Sequence, residues 1–218
     1  MDKHQENRQA KKRLLWETLI VIAITIILFL IFNNLSSIIP ILPVIYLLIE
    51  RKERHRSWSE IGFKIRNISF DLRIVWYFIL LVGAISPLLT SLTGKYCVPG
   101  YIEHVKSRLP MDLNTIMSAI IAIAIGSFLE EIIFRGFIQY RLELFTTPVK
   151  SIIISSFLFT FMHYSKGSFL IVTLDMLGIF IDSIIYGIIF TKTKNIFVSW
   201  IAHYLSDLIA VICLLYFY

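Results

Sequence analysis

The stretch FLEEIIFRGFIQYR, residues 128–141, sets two adjacent carboxylates and an arginine inside an otherwise apolar helical run. Ionisable groups in such surroundings are costly, and are kept for pairing or for function. On an α-helix Glu131 and Arg135 are four residues apart and share a face, with the acid N-terminal to the base, the favourable order for an ion pair. Glu130 lies about 100° round the helix from its neighbour, has no cation within its own helix, and is therefore available for proton transfer. One acid is read as structural and the other as reactive. The alternative for the same cluster is an ordinary charged group at the end of a membrane span.

Two of the five histidines fall inside apolar runs. His163 belongs to FTFMHY, where Phe159 precedes it by one helical turn and would lay a ring against the imidazole. His203 belongs to WIAHYLSDL, where Asp207 follows at i+4, placed to accept a ring N–H and fix the tautomer. The others, His4, His55 and His104, sit in polar segments, where a solvated surface role is the expectation. Lone histidines in a membrane more often join helices by hydrogen bonds than react. Two of them with an uncompensated glutamate, on three separate helices, shift that balance, because facing lipid separately costs several kcal/mol each.

Meeting in one polar cavity, the three could hydrolyse a carbonyl compound. Glu130 would take a proton from water while His163 and His203 orient the water or stabilise the oxyanion. The same trio also matches the three-ligand, one-open-position pattern of a catalytic zinc site, and the residues alone do not separate the two schemes. No serine or cysteine nucleophile motif and no HExxH is present, so serine-type and thermolysin-type hydrolysis lack support.

The three motifs, EExxxR (Glu130, Glu131, Arg135), FxxxH (Phe159, His163) and HxxxD (His203, Asp207), occur in that order on successive helices and resemble the CPBP intramembrane proteases. These are also called the Abi family, and include type II CAAX prenyl proteases and bacterial proteins linked to bacteriocin processing and self-immunity. The resemblance covers roughly residues 113–217. It implies an endopeptidase with a conical active-site cavity sunk in the membrane, acting on a membrane-associated or lipophilic peptide or protein. It makes Glu130 the general base, His163 and His203 the water or oxyanion partners, and Asp207 the residue completing the set, with Glu131, Arg135 and Phe159 supporting. Zinc on Glu130, His163 and His203, or no cofactor at all, both remain open for such a family. Asp207 stands where the prenyl proteases carry Asn and adds a negative charge. A short chain without long loops fits peptide maturation or bacteriocin immunity in bacteria, and the alternative from another class is a non-catalytic immunity or scaffold protein.

The elements that must position these residues are membrane helices. At 57% hydrophobic and 17% charged over 218 residues, with a mean hydropathy of +0.76, the chain is an all-α polytopic integral membrane bundle rather than a soluble domain. Apolar runs at about 14–32, 35–49, 74–92, 113–133, 151–164, 168–190 and 195–217 give about seven spans, the second and fifth being short. The first run is read as a retained span, since no small-residue cleavage site follows it. Residues 1–112 form an N-terminal segment of three spans and 113–218 the catalytic core. The net charge of +6 reflects orientation and contact with lipid headgroups rather than nucleic acid. Of the 21 lysines and arginines, only Lys95, Lys106, Arg108 and Lys166 fall on one side, so the N-terminus is expected in the cytoplasm of a multi-pass cell-membrane protein. The basic stretch from Glu50 to Arg73, with Trp58, Ile61, Phe63, Ile65, Ile68 and Phe70, is read as an interfacial anchor. Cys97 and Cys213 imply neither a disulfide framework nor a thiolate metal site.

Asp175 and Asp182, seven apart in the sixth run, share a face and are read as lining the cavity or pairing near a boundary, with substrate contact as the alternative. One tension remains. A fourth span starting near Leu113 puts Glu130 about 26 Å along it, near the cytoplasmic end, whereas His163 lies about 20 Å from that end of its own helix. Convergence requires a tilted fifth helix, one that starts outside the hydrocarbon, or span limits displaced by a turn.

Overall fold

The computed structural model describes residues 3–32, 38–108 and 116–216, and every described element is helical. The expected domain limit at 112/113 lies outside these residues. The helices are α1 (Lys3–Ile31), α2 (Leu42–Glu53), α3 (Ile68–Leu80), α4 (Ser86–Tyr96), α5 (Tyr101–Arg108), α6 (Ile116–Glu131), α7 (Tyr140–Glu143), α8 (Pro148–Met162), α9 (Phe169–Thr193) and α10 (Ile196–Tyr216). Among the described residues five stretches are long and apolar enough to cross a membrane: Lys12–Ile31, Ile65–Tyr96, Met117–Glu143, Phe169–Thr193 and Ile196–Tyr216. The seven runs expected from hydropathy thus reduce to five of full length. The second becomes a 12-residue helix opened by Pro43 within its first turn, and the fifth becomes α8, 15 residues long. Prolines at 40 and 43 allow a helix to begin but not to run through them.

Two of the long stretches are α-helices joined by a wider π-helical segment. Leu81–Ile85 joins α3 to α4, and Ile132–Gln139 joins α6 to α7. The second join changes the depth expected for Glu130. The apolar run does not stop after Glu131 but continues to Glu143, so Glu130 stands midway along Met117–Glu143, about 20 Å from either end. His163 directly follows α8, about 22 Å from Pro148. The two depths therefore agree, and the limit of the fourth run was misplaced by more than a turn.

That extension carries polar side chains because each finds at least one partner inside the protein, as polar groups in lipid require. All of Ile132–Gln139 is buried. Gln139 donates to the Gly187 carbonyl at 2.9 Å and to Thr191 at 2.8 Å, and Arg141 is paired with Glu50 of α2. Ser155 of α8 donates to the Phe134 carbonyl at 2.8 Å, a carbonyl available to a neighbouring helix where the regular ladder is interrupted. Ile132, Phe134, Phe137, Ile138, Phe159, Phe190 and Ile196 form the main buried cluster around this segment.

Helix α10 is the hub, packing on α3, α4, α6 and α9, while α8 packs on α9 and on the 132–139 segment. Its first residue, Ile196, is fully buried between Gly62 and Gly136, where an added Cβ would come within 2.9 and 2.7 Å of it. Gly62 also has a φ of +96°, which favours glycine. Thr147 caps α8 by accepting from the Lys150 amide, ahead of Pro148 in the first turn. The stretch from Glu50 to Arg73 is less of a surface anchor than its composition indicates. Glu50, Ile61 and Asp71 are buried, and Asp71 accepts from Asn195 at 2.8 Å. Trp58, Ile65 and Phe70 keep the exposure expected of an interfacial segment.

Candidate active site

Four helices bring the predicted residues together. Glu130 comes from α6, His163 from the end of α8, and His203 and Asp207 from α10; Asp182 faces them from α9. They line one open cavity of about 410 Å3, whose walls are otherwise mostly apolar, with Ile123, Ile179, Val211 and Leu214 beside Ser127, Tyr186 and Ser206.

Glu130 directs one carboxylate oxygen toward each imidazole, Oε1 at 3.7 Å from Nε2 of His163 and Oε2 at 3.6 Å from Nε2 of His203. These separations are longer than direct hydrogen bonds, leaving small groups of a substrate or a water to complete the geometry. About a third of the Glu130 side chain is open to the cavity, against none of Glu131. The adjacent acids are thus divided as their helical angles imply.

Each imidazole is fixed from behind. His163 Nδ1 lies 2.8 Å from the Phe159 carbonyl. A carbonyl only accepts, so Nδ1 carries the hydrogen, and in the neutral ring Nε2 presents a lone pair to the cavity. The Phe159 ring sits 4.3 Å from the His163 ring and 5.6 Å, edge-on, from that of His203. His203 Nδ1 is 3.0 Å from Oε1 of Glu131, while Asp207 is 3.6 Å from the opposite nitrogen, Nε2. The orienting partner of His203 is therefore Glu131 rather than the i+4 aspartate, because Nδ1 turns toward α6 and Nε2 toward the cavity.

Glu131 also accepts from Ser199 and lies 3.5 Å from Nη1 of Arg135. Arg135 in turn donates through Nη2 to the carbonyl and hydroxyl of Ser183, both at 2.9 Å, with its guanidinium between the rings of Phe159 and Tyr186. Tyr186 stacks on His203 at 4.6 Å. Ser183, Tyr186 and Ser199 were not anticipated. Ser199 was recoverable from its place one turn before His203, whereas a serine and a tyrosine in an apolar helix carry no signal of their own.

The remaining acids and His104 form a neighbouring group. His104 is buried, 3.5 Å from Asp175 and 3.1 Å from Ser165, contrary to the solvated role expected of it. Asp182 accepts from Ser86 at 2.7 Å. His55 is exposed, and the His4 side chain lies outside those described.

As metal ligands the residues are less well arranged. Among the described residues no three His, Cys, Asp or Glu side chains converge as a coordination set, since Glu130 divides its two oxygens between imidazoles on different sides.

Fold and site together define the class: a multi-pass helical membrane protein whose bundle encloses an open cavity with a carboxylate between two imidazoles. Residues 112–209 match the family model described as type II CAAX prenyl endopeptidase Rce1-like, and this stretch holds every motif residue from Glu130 to Asp207. Neither the curated proteins nor the solved structures gave a match.

Proposed function

We propose that the protein is a membrane-embedded endopeptidase in which Glu130 activates water. The observation that supports this most directly is the placement of the Glu130 carboxylate, one oxygen toward each imidazole, in a cavity open enough to admit a peptide. A water held by Glu130 and by the Nε2 lone pair of His163 gives a proton to Glu130 as its oxygen attacks the carbonyl carbon. His203, doubly protonated beside Glu131, donates from Nε2 to the oxyanion, a role that a fixed donor performs well where water is excluded. Collapse breaks the C–N bond, and Glu130 returns its proton to the leaving nitrogen. Asp207, near the same nitrogen of His203, completes the charge around it.

The apolar walls favour a lipophilic or membrane-associated peptide, and peptide maturation or self-immunity in a bacterial cell membrane, with the N-terminus in the cytoplasm, is the setting this reading supports. The test is cleavage by the purified protein in lipid vesicles. Glu130→Ala and His203→Ala should abolish cleavage of a peptide that the unaltered protein cuts. Retained cleavage by Glu130→Ala removes the mechanism. Loss of activity on chelation, restored by zinc, would replace the proton-and-water scheme with a metal-assisted one.

A further inference from the structure

The cavity continues past the reacting groups. A side-chain-sized chamber of about 140 Å3 shares Val105, Ile179, Asp182, Ser206, Asp207 and Leu214 with the larger one and runs on between α4, α5 and α9. Among the described residues no lysine or arginine lines either chamber. Asp182 stands on the shared wall. Its Oδ1 is pinned by Ser86 of α4, and among the described residues Oδ2 has no hydrogen-bond partner. One turn earlier on α9, Gly178 also borders the smaller chamber, and a Cβ added there would meet nothing within 4 Å. The chamber is thus open beside a carboxylate that is held in place and has one oxygen to spare.

A carboxylate within the depth of a bilayer is costly unless a cation or donors complement it. The protein supplies Asp182 with one direct hydrogen bond, from Ser86, and with the more distant charge of His203. The apolar faces of Val105, Ile179 and Leu214 suit the methylene stem of a long side chain whose charged head reaches the acid. We infer that Asp182 is a specificity-determining residue which receives a lysine or arginine side chain of the substrate peptide in the smaller chamber. The inference rests on the peptidase reading and adds the class of residue that the substrate must carry near the cleaved bond.

The test uses synthetic Leu/Ala peptides of about 20 residues, long enough to enter a bilayer, each with a single Lys, Arg, Met or Glu at a varied position, and the full chain in vesicles. At one position relative to the cut, Lys or Arg should raise kcat/KM about ten- to a hundredfold over Met, the range of one charged hydrogen bond. In Asp182→Asn, which keeps the shape and the Ser86 contact, that ratio should collapse toward one, and Asp182→Lys should favour Glu. A ratio that is flat in the unaltered protein, or unchanged in Asp182→Asn, overturns the inference. If no peptide is cut, the peptidase reading fails on its own, and binding decides the subsite. Tighter binding of the Lys peptide than of the Met peptide, lost in Asp182→Asn, upholds it, and equal binding overturns it.

Discussion

Adjacent glutamates on one helix have different consequences when removed, because one faces a cavity and the other is sealed behind a histidine. Glu130 is about a third exposed to the cavity and, among the described residues, supports no neighbour by a direct hydrogen bond. Glu130→Gln should therefore abolish cleavage while thermal unfolding in detergent stays within about 0.5 kcal/mol of the unaltered protein, as for a substitution away from buried networks. Glu131 is fully buried against Ser199, His203 and Arg135. Glu131→Ala leaves a buried guanidinium without its anion and should cost about 3–5 kcal/mol, the usual penalty for removing one partner of a buried pair. A Glu131→Ala protein as stable as the original would show that Ser183 alone satisfies Arg135. Much of this division was legible in the sequence, since the 100° offset and the i+4 arginine already separate the two acids. The direction of the His203 ring was not, because it depends on where α6 lies relative to α10, and a local i+4 rule sees only one helix.

At the scale of elements, the π-helical segment Ile132–Gln139 shows why hydropathy misplaced a span. Glu131, Arg135, Gln139 and Arg141 lower the apparent apolarity of the stretch and so read as a membrane boundary. Each is in fact met by a group from another helix: Ser199 of α10, Ser183 and Gly187 of α9, and Glu50 of α2. Partners contributed from 48 or more residues away leave no periodic trace near the residues they neutralise. The order of helices, the identity of the converging residues and the shortness of the second and fifth runs were recoverable, whereas the end of the fourth run was not. The close approach of this segment to α10 gives a further prediction. A side chain at Gly136 would collide with Ile196, so Gly136→Val should destabilise by about 1–3 kcal/mol through overpacking. Combining it with Ile196→Ala, which opens the space, should recover part of the loss in the same unfolding assay. If Gly136→Val is neutral, the packing of α10 against the segment is looser than this geometry.

Across the whole molecule, the helices N-terminal to the matched stretch are tied to it by buried polar contacts rather than by apolar packing alone. Glu50 of α2 meets Arg141 of α7 as well as Arg54 and Arg56, Asp71 of α3 accepts from Asn195, and the Ile196 amide donates to the Gly62 carbonyl at 2.8 Å. Arg141 is 1% exposed and Glu50 3%, so neither can turn to water if the other is removed, while Arg54 is about a third exposed and can. Glu50→Ala should therefore cost about 3–5 kcal/mol, dominated by the stranded Arg141 charge. Pairing it with Arg141→Met removes that charge and keeps an apolar stem beside Phe137, so the double variant should be more stable than Glu50→Ala alone. Thermal unfolding of the four proteins in detergent measures the coupling. Additive effects would mean that Glu50 acts through Arg54 and Arg56, and that the N-terminal helices hold the stretch from 116 onward through Asp71 and Gly62 instead.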